Sequence, residues 1–147
     1  MTALAHSARY LALATVLNLA CEILQLPLYT IWTAGSPTQQ AWAVAHCTVG
    51  DALIATSFLG IAILITGQRA WPHSQYWSVA AAATVVGLGY TVFSEWLNVD
   101  LRGAWDYAQA MPRAPDLGTG VSPLAQWLVV PTLSFLLARP RLPNARQ

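Results

Sequence analysis

Hydrophobic positions gather into four long runs, parted by short stretches that hold glycine, proline or arginine. Nowhere do they alternate with the period of two that a half-buried strand requires. The runs cover about 10–32, 41–66, 76–98 and 122–138. At 1.5 Å per residue, about 20 helical residues cross a ~30 Å hydrocarbon core. The pattern predicts an all-α integral membrane protein: a four-transmembrane-helix bundle forming one domain over 1–147, with a long extracytoplasmic loop at 99–121 between helices 3 and 4 and a basic tail at 139–147.

The polar positions inside the runs are few and periodic. In the first run Asn18, Glu22, Gln25 and Tyr29 fall at i, i+4, i+7 and i+11, a stripe that must face protein or water. Pro27 lies just beyond Glu22 and cannot donate a backbone hydrogen bond, which predicts a kink beside the stripe. In the second run Cys47 and Asp51 share a face, whereas His46 lies about 140° around from Asp51 at 100° per residue. Ala52, Thr56 and Gly60 follow at spacings of four, a pattern that permits close helix approach. In the third, Ala83, Gly87, Thr91 and Glu95 repeat at the same spacing and aim Glu95 into the bundle. The fourth run is the shortest and is bent by Pro131. It is apolar apart from Gln126 and Ser134, so its expected task is to close the bundle. Trp32, Trp42, Trp96 and Trp127 at one set of ends, with Tyr10, Trp71 and Trp77 at the other, read as two interfacial aromatic belts, and His6 and His73 as solvated interface residues.

Connections longer than about 12–15 residues are uncommon unless functional or disordered. The 99–121 stretch carries Trp105, Tyr107 and Met111, which a disordered linker would lack. It reads as a packed lid whose first half forms a short interfacial helix, with Trp96, Arg102, Trp105 and Tyr107 as its substrate-contacting residues.

Composition supports the membrane reading. Of 147 residues, 56% are hydrophobic and 9% charged, with no lysine, against about 25% charged in soluble domains. No basic face exists for nucleic acid. Arginines mark topology instead: Arg9, Arg69, Arg139, Arg141 and Arg146 lie on one side, and Arg102 and Arg113 on the other. By the positive-inside rule this is a multi-pass protein of a bacterial-type inner membrane with both termini cytoplasmic. Cys21 and Cys47 both fall within runs and are expected as free thiols.

The acids set the functional question. Each charged group at mid-bilayer costs roughly 2.5–3.5 kcal/mol on insertion scales, yet three runs carry one: Glu22, Asp51 and Glu95. Counted by depth, these acids and His46 form a funnel open on the periplasmic side and closed below, which argues against conduction by a monomer. Three readings of the funnel compete. His46, Asp51, Glu95 and Glu22 offer a ligand set for a divalent metal ion such as zinc, drawn from three helices, or a pocket for a small molecule. Asp51, Glu95 and Glu22 offer acid and base groups for an isomerase, cyclase or hydratase acting on an apolar, lipid-like substrate. The same acids, paired with His46, Arg102, Asn18 and Gln25, offer interhelical glue in an accessory subunit of a homo-oligomer or larger membrane complex. Whether the protein is an enzyme stays open at this level.

Overall fold

The structure, a computed structural model, describes residues 2–68 and 70–139. Those residues form α1 (Ala3–Gln25), a short α2 (Ile31–Ala34), α3 (Pro37–Ile65), α4 (Tyr76–Glu95) and α5 (Val121–Ala138). Four helical segments are long and apolar enough to cross a membrane: Ala3–Leu28, Pro37–Ile65, Tyr76–Leu101 and Val121–Ala138. The first two begin several residues earlier than the hydrophobic runs suggest, because caps rather than hydropathy set helix starts. Thr2 accepts from the Ala5 N–H at the head of α1. Ser36 and Gln39 form a reciprocal capping box ahead of α3, with Pro37 in its first turn. Most of the 139–147 tail, from 140 on, lies outside the described residues, as does Arg69.

The four long helices close a ring in which α1 packs on α3 and α5, and α4 packs on the same two. The outer faces are apolar, as lipid contact requires; Leu53, Leu64, Val85 and Leu128 all point outward. Several hydroxyls in the spans are satisfied within their own helices. Thr48, Thr56, Ser57, Thr84, Thr91 and Thr132 each donate to the carbonyl four residues back.

At the end holding the chain termini, here the tail end, the core is aromatic. Tyr10, Trp71, Val79 and Phe135 interlock, and Arg9 donates to the Leu137 carbonyl at 2.8 Å, capping the open end of α5. His6 is not the solvated interface residue that its position suggests. It is fully buried, edge-on to Trp71 and Tyr76 with ring centroids at 5.1 and 5.5 Å. Tyr10 and Trp71 likewise belong to this core rather than to an aromatic belt, whereas Trp32, Trp42, Trp77 and Trp96 stay exposed.

Trp127 is the third departure from the belt reading. It is buried between α3 and α4, against Phe58 and Gly87. A Cβ at Gly87 would sit 2.7 Å from the Trp127 ring, so the small residue makes room for the indole. Gly87→Ala is expected to lower thermal stability by about 1–3 kcal/mol through overpacking, measured as unfolding in detergent. Gly60→Ala, whose Cβ meets open space, serves as the neutral control. Thr56 and Gly60 face outward, so the small-residue stripe of α3 does not mediate packing within the bundle, while Ala83, Gly87, Thr91 and Glu95 on α4 all point inward.

Pro27 ends α1 instead of kinking it. The helix stops at Gln25, Leu26–Leu28 form a 3-10 turn, and Tyr29 is extended. Non-helical backbone within a membrane protein must find internal partners, and the loop between α4 and α5 supplies them. Thr30 N–H donates to the Asp106 carbonyl at 3.0 Å and Ala108 N–H to the Leu28 carbonyl at 2.9 Å, setting Tyr29 opposite Tyr107 in an isolated bridge.

The loop itself departs from the short helix expected in its first half. Residues Trp96–Leu101 continue α4 as one widened π-type turn, and the rest is irregular but packed, with Tyr107, Met111, Thr119 and Gly120 buried. Its second half doubles back on itself. Ala114 N–H donates to the Thr119 carbonyl, Val121 N–H donates to the Pro112 carbonyl, and Gly118 takes the left-handed conformation that the turn demands.

Candidate functional site: a carboxyl and amide cluster at the loop end

Three helices bring their isolated polar residues to one point near the loop end. From α1 come Asn18, Glu22 and Gln25, from α3 Cys47 and Asp51, and from α5 Gln126. Asn18, Gln25, Asp51 and Gln126 are buried, and Glu22 is half-buried. The Gln126 side chain is the hub. Its Nε2 lies 3.0 Å from Asn18 Oδ1, 3.1 Å from Glu22 Oε1 and 2.9 Å from Asp51 Oδ2. Gln25 Nε2 donates to Glu22 Oε1 at 2.9 Å and to Gln126 Oε1 at 2.7 Å, and Ser122 Oγ donates to Gln25 Oε1 at 2.7 Å.

The carboxyls of Glu22 and Asp51 lie side by side, both accepting from Gln126 Nε2, with the Cys47 thiol beside them. Two carboxyls set this close can hydrogen-bond to each other when one of them carries a proton. A single amide NH₂ has two hydrogens for three acceptors. The Gln25 donor to Glu22 relieves that competition and leaves Gln126 for Asn18 and Asp51.

Glu95 forms a second centre at the head of α4. It accepts a short hydrogen bond from the Tyr107 hydroxyl, which in turn accepts from the Gly120 N–H at 2.9 Å. The Trp105 indole N–H, buried and without a well-aligned acceptor, lies near the same carboxyl. Arg113 stacks over the Tyr107 ring at 4.8 Å. Burial, and then the bond to Glu95, hold the Tyr107 phenol above its ordinary range. Tyr29, half-buried between the two centres, has its ring centroid 5.6 Å from that of Tyr107.

The residues singled out from the sequence therefore separate. Glu22 and Asp51 meet directly, while Glu95 is held apart by its bond to the loop. His46 lies on the exposed face of α3, stacked on Trp42 with centroids at 6.0 Å, away from all three acids. Among the described residues no three His, Cys, Asp or Glu side chains are grouped to hold a metal ion, so the expected ligand set His46, Asp51, Glu95 and Glu22 is not assembled. Of the loop residues, Tyr107 and Trp105 face Glu95, whereas Trp96 and Arg102 are exposed. Among the described residues, the side chains that hydrogen-bond to the three acids are the amides of Gln25 and Gln126 and the Tyr107 phenol, with a thiol and an indole close by, rather than arginine or histidine. Pairing with His46 and Arg102 does not occur. Gln126 was legible only as a lone polar residue in an apolar span, and its partners depend on how α5 meets α1.

Beneath the cluster the bundle is closed. The gap bounded by Tyr10, Ala14, Asn18, Ala55, Trp127, Val130 and Pro131 has no room for a water molecule. Beside the cluster, between α1 and α5, runs a groove of about 260 Å³ lined by residues that include Gln25, Ser122 and Gln126. No protein-family model, curated protein or solved structure matches this chain.

Proposed function

We propose that this protein is a membrane-embedded small-molecule site in which Glu22 and Asp51 hold a proton between them and exchange it with a bound molecule. The observation that carries this reading is the convergence of the Glu22 and Asp51 carboxyls on the single Gln126 amide nitrogen, in a setting of neutral amides. A pair held together only as glue would be served by an opposite charge. A pair that shares one proton has an acid and a base side by side.

Such a pair can isomerise or cyclise an apolar molecule without a co-reactant. One carboxyl delivers its proton to the substrate, the other accepts a proton from a neighbouring carbon, and the enzyme returns to its starting charge. Gln126 and Gln25 hold both carboxyls in register through the exchange, and the Glu95–Tyr107 latch fixes the loop over this end of the bundle. We place the protein in a bacterial-type inner membrane, termini in the cytoplasm and loop outside, on the strength of the arginine distribution.

Mass analysis of small molecules that co-purify from native membranes tests the reading. The wild-type protein is expected to retain an organic molecule that bulk lipid does not account for, and Asp51→Asn to lose it while remaining folded. Retention by Asp51→Asn at the wild-type level would overturn the assignment.

A further inference from the structure

The groove between α1 and α5 has a polar end and an apolar length, and both follow from the antiparallel course of the two helices. Leu28, Gln25 and Ser122 lie toward the loop end, while Cys21 and Val129 lie deeper. Cys21 to Leu28 and Ser122 to Val129 each cover eight residues, or about 10 Å along the axis at ~1.5 Å per step. Leu24, Leu28, Ala125 and Val129 supply apolar walls. Leu24 and Val129 are strongly exposed on the bundle surface, so the groove opens sideways into the bilayer.

No charged side chain lines this groove. Its polar lining is two amides and one hydroxyl, with the Cys21 thiol deeper, and directly behind Gln25 and Gln126 stand Glu22 and Asp51. An anionic headgroup would be brought against two acids with no cation among the lining residues to offset it. The N–H groups of Gln25 and Gln126 and the Ser122 O–H are already donated within the cluster, so a carbonyl finds no donor, whereas a neutral hydroxyl can donate to the free acceptor capacity of Ser122 Oγ and the two amide oxygens. With the interior closed below, the groove is the flank by which a bilayer molecule meets Gln126.

We infer that the α1–α5 groove admits, laterally from the bilayer, a neutral single-chain amphiphile whose hydroxyl end donates a hydrogen bond to the oxygens of Gln25, Ser122 or Gln126. This inference rests on the cluster being a small-molecule site and names the class of molecule it takes. At about 260 Å³ the groove is slightly below the ~300–1,000 Å³ of typical ligand sites, which suits one chain and not two.

The test is photolabelling of the full-length protein in phosphatidylcholine nanodiscs with a diazirine-bearing long-chain alcohol, compared with a diazirine-bearing phosphatidylcholine. Alcohol adducts are expected to concentrate on 21–28 and 122–129 and to be displaced by unlabelled alcohol. Phosphatidylcholine adducts should spread over all lipid faces, including Leu53 and Leu64. Ala125→Phe, on the lipid-exposed wall, should abolish the displaceable labelling without changing the melting temperature. The inference is overturned if alcohol adducts spread like those of phosphatidylcholine, if phosphatidylcholine concentrates in the groove equally, or if Ala125→Phe labels as the wild type does. Asp51→Asn separates the two readings. Groove labelling that survives this substitution at full strength supports the groove and removes the cluster as its recognition partner. Loss of the co-purifying molecule in Asp51→Asn together with dispersed alcohol labelling keeps the cluster and removes the groove.

Discussion

Gln126→Leu is expected to destabilise the protein by about 2–4 kcal/mol, equivalent to leaving one or two buried acceptors unsatisfied at ~1–3 kcal/mol each. Leucine fills a similar volume, so the loss is of hydrogen bonds and not of packing. Asn18, Glu22 and Asp51 all converge on the Gln126 amide, and Gln25 loses the acceptor it holds at 2.7 Å. The effect should be strongly non-additive with Asp51→Asn, because the two residues belong to one network. Thermal unfolding of the single and double variants in detergent checks this. Additive losses would mean that Gln126 and Asp51 do not share a hydrogen bond.

Tyr107→Phe is expected to release the loop, at a cost of about 2–4 kcal/mol for local opening, because two buried groups lose their partner at once. The phenol both donates to Glu95 and accepts from Gly120. Phenylalanine keeps the ring under Arg113 and removes only the hydroxyl. Trypsin cleavage after the exposed Arg102 and Arg113 should accelerate in Tyr107→Phe, whereas Glu95→Gln, which retains an acceptor, should change it little. Unchanged cleavage in Tyr107→Phe would show that the latch does not hold the loop.

The latch also has a predictable pH dependence. The phenol is held above its ordinary value in the folded protein, so its contribution is fully present below the unfolded value of about 10. It is lost as pH rises through the higher folded value. Trypsin cleavage of the loop should therefore stay flat through neutral pH and rise only in the alkaline range.

Much of the fold was legible because helical periodicity is a local property. Asn18, Glu22, Gln25 and Tyr29 had to share a face whatever they met, and Ala83, Gly87, Thr91 and Glu95 equally so. The 100° rotation per residue also separates His46 from Asp51, and the structure puts His46 on the outer face, although depth alone groups it with the three acids. What periodicity lacks is the identity of the facing helix. Gln126 therefore read as an incidental polar residue, and the Glu22–Asp51 contact was one of several possible pairings among three acids. Axial position by itself cannot tell an interfacial tryptophan from a core one, which is why Trp127, Tyr10 and Trp71 read as belt residues. Burial of His6 depends on how the α3–α4 connection folds Trp71 back, a non-local event. At Pro27 the missing N–H was visible in the sequence. Its consequence depended on a loop some 80 residues away supplying partners for Leu28 and Thr30, and that turned an expected kink into a helix end.

The account stands on the shared proton. Infrared spectroscopy of the protein in vesicles distinguishes the C=O stretch of a proton-bearing carboxyl from that of carboxylates, and so reads the Glu22–Asp51 pair directly. A proton-bearing band is expected in the wild type that shifts in Glu22→Gln and in Asp51→Asn and disappears in the double variant, with Glu95→Gln leaving it in place. A spectrum in which the double variant keeps the wild-type band, or the wild type shows carboxylates alone, would contradict it.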